Sequence, residues 1–144
     1  MNTRLDAWRI AGKLRERSRC RVKVGAVITD ARGAVFAWGW NHPGPDGLGL
    51  CAERHALLRA NPRRLIGATV HIRGFNGANE SGSTPCRVCH HALTRAGVRR
   101  IEYTDPGTKR RTTRPLAAIE AASRRYVIRR LSADDTENDK RKAA

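Results

Sequence analysis

The chain has 144 residues, which suits one domain of ordinary size. Forty per cent are hydrophobic, which excludes a chain disordered by composition, and no apolar run approaches the roughly 20 residues of a membrane span. Lys and Arg total 29 against 13 acids, giving a net charge of +16 and a pI near 11.3.

Residues 132–144 hold three basic and four acidic side chains, so the other 131 residues carry 26 basic and 9 acidic ones, or +17. The excess therefore belongs to the folded part and not to a basic tail. Such a field attracts polyanions, although a basic or GC-rich proteome would produce the same bias. Residues 1–19 are charged throughout and lack an apolar stretch, which reads as no secretory signal. A cytoplasmic protein is expected, and its four cysteines then suggest metal or catalysis before disulfides.

Residues 3–18 read as a helix with Ala7, Ile10, Ala11 and Leu14 on one face. Val22–Thr29 and residues 34–40 read as strands joined by the turn Asp30-Ala31-Arg32-Gly33. Residues 41–50, rich in Gly and Pro, form a loop. Residues 51–61 return to helical composition and stop before Pro62. Residues 68–73 are a short strand, and the polar, Gly-rich residues 74–84 read as a flexible loop. A helix from Pro85 to residue 96 is closed by Gly97. Residues 98–103 form another strand, and residues 104–114 a basic connection with room for a short strand at 111–113. Residues 115–131 read as a last helix. The expected architecture is α/β: a three-layer arrangement with a mixed sheet of about five strands flanked by helices. One domain spans residues 1–131, and 132–144 is a disordered, charged tail.

Two short motifs stand out. Cys51-Ala52-Glu53-Arg54 and Pro85-Cys86-Arg87-Val88-Cys89 each open an expected helix after a Gly-rich loop. Unpaired N–H groups at a helix start stabilise a thiolate. Cys86 and Cys89 lie one turn apart on one face. Three thiolates leave one tetrahedral position open, the catalytic pattern for zinc; a closed structural site would need a fourth ligand. Glu53 is placed to touch a water at the metal and act as general base. Other readings compete: buried apolar cysteines, a structural zinc site, an exposed helix-start acid at Glu53. Cys86-x-x-Cys89-His90 also spells the haem-attachment pattern, but the only Met is Met1. Cys20 reads as a core thiol, His55 as a packing residue, and Trp38 and Trp40 as core or interface. Basic stretches at Lys109-Arg110-Arg111 and Arg124-Arg125 with Arg129-Arg130 read equally well as phosphate contacts or a solvated face.

The paired motifs match the zinc-deaminase signature, H-x-E followed by P-C-x-x-C, with Cys51 in place of the His. Over about residues 20–105 the sequence resembles the cytidine/deoxycytidylate deaminase superfamily, in its Cys-Ala-Glu-Arg branch. Val24-Gly25-Ala26 looks like the family's opening strand, and Gly39-Trp40-Asn41 like the end of its second. The resemblance implies zinc held by Cys51, Cys86 and Cys89, with Glu53 protonating the ring nitrogen and then the departing amine as water converts cytosine to uracil and ammonia. It implies that Arg54 hydrogen-bonds the ligand thiolates, and that Asn41, Ala52 and Pro85 meet the substrate. His42, in the loop before the active helix, is a further candidate. It also leaves open a homo-oligomer.

One departure bears on substrate. Small nucleoside deaminases carry a Glu two residues after the sugar-binding Asn, where this chain has Pro43. Together with the charge, this favours a nucleotide or single-stranded DNA or RNA over free cytidine. Deamination of another base, such as adenine in RNA or guanine, and a non-catalytic zinc-stabilised nucleic-acid-binding module are the alternatives.

Overall fold

Alternating apolar residues in the first half of the chain build a hairpin. In the computed structural model, which describes residues 5–44 and 49–121, β1 (Val22–Thr29) pairs antiparallel with β2 (Val35–Trp40). Asp30 shapes the turn, its Oδ1 accepting from the backbone N–H groups of Arg32 and Ala34. On its other side β1 pairs antiparallel with β3 (Thr69–Asn76) over its whole length, from Val22 opposite Asn76 to Thr29 opposite Thr69.

The short β4 (Asn79–Ser81) folds back on β3. β5 (Arg100–Thr104) lies parallel to β3, as expected for strands joined through a helix, and β6 (Arg111–Pro115) closes the far edge antiparallel. The order is β2-β1-β3-β5-β6, with β4 on the end of β3: a mixed sheet of six strands.

Helices cover both faces. On one face α2 (Ala52–Arg59) and α4 (Arg87–Ala96) pack against the larger core, which joins Ala52, Ala56 and Leu93 to Ala26, Ile28, Val70, Ile72 and Ile101. On the other, α1 (Ala7–Lys13) packs Ala7 and Ala11 with Leu14 on Val27. A single turn, α3 (Pro62–Leu65), links α2 to β3, with Pro62 at its first position and Asn61 capping it.

Three expectations change. The first helix is shorter: Asp6 caps it by accepting from Arg9 N–H, and residues Leu14–Arg17 tighten into a 3-10 turn. Residues 74–84 are not one loop, because β3 continues through buried Phe75 and turns into β4. The helix expected from residue 115 does not begin there. Pro115 ends β6, and Leu116–Ala118 form a 3-10 turn whose Leu116 is buried. Proline is tolerated at the end of an edge strand. The remainder of that expected helix and the expected tail lie outside the described residues.

Candidate active site

Both motif cysteines that open helices are N-caps. Cys51 (φ −69°, ψ 151°) begins α2, and Cys86 (φ −68°, ψ 166°) begins α4, with extended backbones and no side-chain capping bond. Their carbonyls start the helices, accepting from His55 N–H at 3.0 Å and His90 N–H at 2.8 Å. The thiols are left free to face each other. Pro85 precedes the cap and is not part of the helix. Cys89 lies one turn into α4 and is fully buried.

The sulfurs of Cys51, Cys86 and Cys89 all lie within 4.8 Å of one another, and Cys51 Sγ is 4.0 Å from Cys86 Sγ. A tetrahedral zinc at about 2.3 Å from each sulfur sets them about 3.8 Å apart. Small movements would bring this set onto the ion, so the donors fit zinc. The Cys86 thiol is shifted below the ordinary range by hydrogen bonds from Cys51 and Cys89, with help from the N–H groups of Cys89 and Val88 at the start of α4. The Cys51 thiol is shifted up, chiefly by its contact with Cys86, and the Cys89 thiol by its contacts with Cys51 and Cys86.

Glu53, two residues into α2, is 5% exposed. Burial pushes its carboxyl up to about 7, the negative Cys86 adds to this, and its own backbone N–H and the Cys89 thiol oppose it. A buried carboxyl poised near neutral pH can both accept and donate a proton.

The remaining candidates are placed differently. Asn41 is 1% exposed, and its amide is engaged inside the fold. Its Oδ1 accepts from Ser18 Oγ at 2.6 Å and Val24 N–H at 2.8 Å, while Nδ2 donates to the Val22 carbonyl at 2.7 Å. Ala52 and Pro85 are fully buried as well. Arg54 is exposed, and among the described residues no hydrogen bond joins it to a sulfur.

His42 pairs with Leu50 through two backbone hydrogen bonds, 2.8 and 2.9 Å, and so closes the loop that leads into Cys51. Its Nε2 lies 3.2 Å from His55 Nδ1, which also accepts from Trp40 N–H. Burial lowers the pKa of both imidazoles. His55 thus packs under the loop, edge-on to Trp40 at 4.6 Å. Trp40 is partly buried in the second core, whereas Trp38 is 40% exposed. Ser18 is a residue that sequence reasoning missed: its hydroxyl fixes Asn41 from 23 positions away, a separation with no local signal.

Residues 1–104 match the family model described as the cytidine and deoxycytidylate deaminase zinc-binding region. No curated protein matches the chain. Among solved structures, cytidine deaminase from Burkholderia pseudomallei is similar at 22% identity with a TM-score of 0.59, over 77% of this chain and 91% of that one. Cytidine deaminase from Mycobacterium leprae is similar at 22% identity and a TM-score of 0.57, over 76% and 89%. dCMP deaminase from the cyanophage S-TIM5 is similar at 23% identity and a TM-score of 0.55, over 69% and 79%. These likenesses carry the fold, and the family match spans all three sulfur ligands and Glu53. The chain belongs to the cytidine and deoxycytidylate deaminase family and has that family's sheet, flanking helices and a three-cysteine cluster suited to zinc.

Proposed function

We propose that this protein hydrolyses the amino group from a cytosine base carried on a nucleotide or a single-stranded nucleic acid, giving uracil and ammonia. The observation that carries the reading is the cluster of three sulfurs with the buried Glu53 carboxyl beside it. Cys51, Cys86 and Cys89 would hold zinc, which when bound supplies the Lewis acidity that makes water a nucleophile at neutral pH. Glu53 takes one proton from the attacking water and delivers it to the ring nitrogen, then takes the second from the newly added hydroxyl and gives it to the departing amine, which leaves as ammonia. His42, partly exposed before Cys51, is the candidate substrate contact. Arg54, three residues after Cys51, would offset the charge of the thiolates, as the family resemblance implies.

The preference for a phosphorylated or polymeric substrate rests on the net charge of +16 and on Pro43, which supplies no acceptor for a free ribose hydroxyl. We place the protein in the cytoplasm, where its thiols stay reduced. Among the described residues, no helix is long and apolar enough to cross a membrane.

The test is a panel of cytidine, dCMP and cytosine-containing oligonucleotides, with zinc-loaded protein and with Glu53→Gln. The wild type should convert cytosine to uracil within the phosphorylated members, the base staying on its sugar, and release ammonia. Glu53→Gln should keep its zinc and lose about 10²–10⁴-fold in rate. No conversion of any member at full zinc occupancy would overturn the cytosine reading.

A further inference from the structure

On the face of the sheet opposite the sulfur cluster, a cavity of about 200 Å³ opens between α1 and β3, lined by Arg9, Gly12, Lys13, Arg15, Glu16, Arg73 and Phe75. Four cations face one carboxylate there. The cavity is smaller than the roughly 300–1,000 Å³ that encloses a drug-sized ligand, yet ample for a phosphate group.

Two of its cations, Arg73 and Arg15, are held in place. Arg73 forms the floor, with Nε and Nη2 on the Glu80 carboxylate at 2.8 and 3.0 Å and Nη1 donating to the Trp8 carbonyl at 3.2 Å. It can lie beneath α1 because Gly12 has no side chain: a Cβ there would sit 2.6 Å from Arg73 Nη1. Glu80 thus neutralises the floor. The rim is different. Among the described residues, no ion pair joins Arg9, Lys13 or Arg15 to a carboxylate. The Arg15 guanidinium lies over the Phe75 ring at 4.2 Å, which restricts its rotamers, and among the described residues its side chain makes no ion pair.

Arg15 is one end of a line. Phe75 lies between Arg15 and Arg73, and Trp8 between Arg73 and Arg111, in steps of 4.2 to 5.2 Å. The aromatic faces are already covered by guanidinium, so bases gain no platform here. Within the line Arg73 and Arg111 are paired with Glu80 and Glu102, so Arg15 is the cation it presents to a phosphate, beside Arg9 and Lys13 on the same rim. From Arg15 the chain passes Arg17, which lies 5.3 Å over Trp40, and then Ser18, which holds Asn41. Asn41 precedes His42, at the base of the loop leading into Cys51.

We propose that this cavity is a second, non-catalytic anion site, in which Arg9, Lys13 and Arg15 take backbone phosphates of a single-stranded polynucleotide outside the deaminase centre. It deepens the nucleic-acid reading above, on which it rests for its purpose, but binding here needs no turnover.

The experiment measures binding of a zinc-loaded Glu53→Gln protein to an oligothymidylate, which holds no cytosine, by fluorescence anisotropy across a salt series. The background of the triple variant Arg9→Ala, Lys13→Ala, Arg15→Ala is compared with a control triple, Arg95→Ala, Arg99→Ala, Arg114→Ala, which removes the same charge from exposed positions elsewhere. The cavity triple should weaken binding at least tenfold and lower the salt slope by about 0.7 for each phosphate lost. The control triple should change affinity less than threefold.

Equal losses in both triples, or none in the cavity triple, would overturn the proposal. Competition with inorganic phosphate and dCMP separates the sources: displacement only at millimolar levels supports a polynucleotide site, and displacement by either as tightly as by the oligomer overturns it. Deamination in the unmodified active site is measured separately on dCMP, so failure of the catalytic reading and failure of this one are distinguishable.

Discussion

Gly39 of β2 and Ala56 of α2 approach so closely that a Cβ on Gly39 would sit 2.5 Å from the Ala56 nitrogen, with the Ala52 carbonyl at 2.8 Å. The helix that carries Glu53, and whose cap is Cys51, is therefore seated directly on the strand backbone. Gly39→Ala must push α2 off the sheet. The expected cost is about 1–3 kcal/mol of stability, in the range of overpacked cores, with weakened zinc retention. Urea denaturation and metal analysis of the variant check both; unchanged zinc and stability would mean α2 is not pinned there.

Asn41 ties β1 to β2 and to Ser18. Asn41→Ala leaves the Val24 N–H and the Val22 carbonyl buried without that partner. At about 1–3 kcal/mol for each unsatisfied group, a loss near 3 kcal/mol is expected. Chemical denaturation gives the value. A variant of undiminished stability with an altered KM would instead point to a role at the substrate.

Metal removal should destabilise the fold. The thiols of α2 and α4 meet at one point, and an ion there links two helices that otherwise share modest contact. Chelation is expected to lower the melting temperature by several degrees, and Cys89→Ala should lower bound zinc from one per chain to well below one. Cys20→Ala, at a buried thiol outside the cluster, should keep one zinc per chain. Differential scanning fluorimetry and a colourimetric zinc assay report each effect.

Two carboxylates set the acid limit. Hydrogen bonds from Arg73 hold Glu80 below the usual carboxylate pKa. Burial works against the Glu102 charge, but its bonds with His71 and Arg111, both 2.7 Å, outweigh that and lower it as well. A group with a depressed folded pKa contributes stability above its unfolded value, near 4.5, and loses it as pH falls through the folded value. Stability should therefore decline below about pH 4.5. The gap between wild type and Arg73→Met, measured by denaturant titration, should be full at pH 6 and shrink below that point. A gap that stays constant to pH 3 would contradict the assignment.

The local parts of this fold were readable in the sequence, and the long-range ones were not. β1 was placed at its observed bounds because eight residues of mainly branched and small apolar side chains precede an Asp-x-x-Gly turn. The zinc ligands were found because two motifs, each short and chemically unusual, occur together. The β3–β4 hairpin was missed, although Asn76-Gly77 is a strong turn signal: Gly77, at φ 63°, is the first of the two residues between paired Asn76 and Asn79. The surrounding polar residues hid it, and pairing of β3 with β1, more than 40 residues away, is what extends the strand. Only the start of the last expected helix, at Pro115, was misread, because a proline and spaced apolar residues suit both a helix start and a strand end. Pairing of β6 with β5 decides for the strand. Nothing local announced that Asn41 would be consumed by Ser18, Val22 and Val24.

The position of β3 between β1 and β5 fixes the order in which the protein can be completed on the ribosome. When the first hairpin has emerged, the inner edge of β1 has no neighbour until residues 69–76 follow and insert beside it. The last sulfur, Cys89, arrives later still, after the strand that aligns the two helices. Nascent chains must therefore cross an interval with an unpaired strand edge and an incomplete ligand set, and aggregation during synthesis should lower the yield of loaded protein.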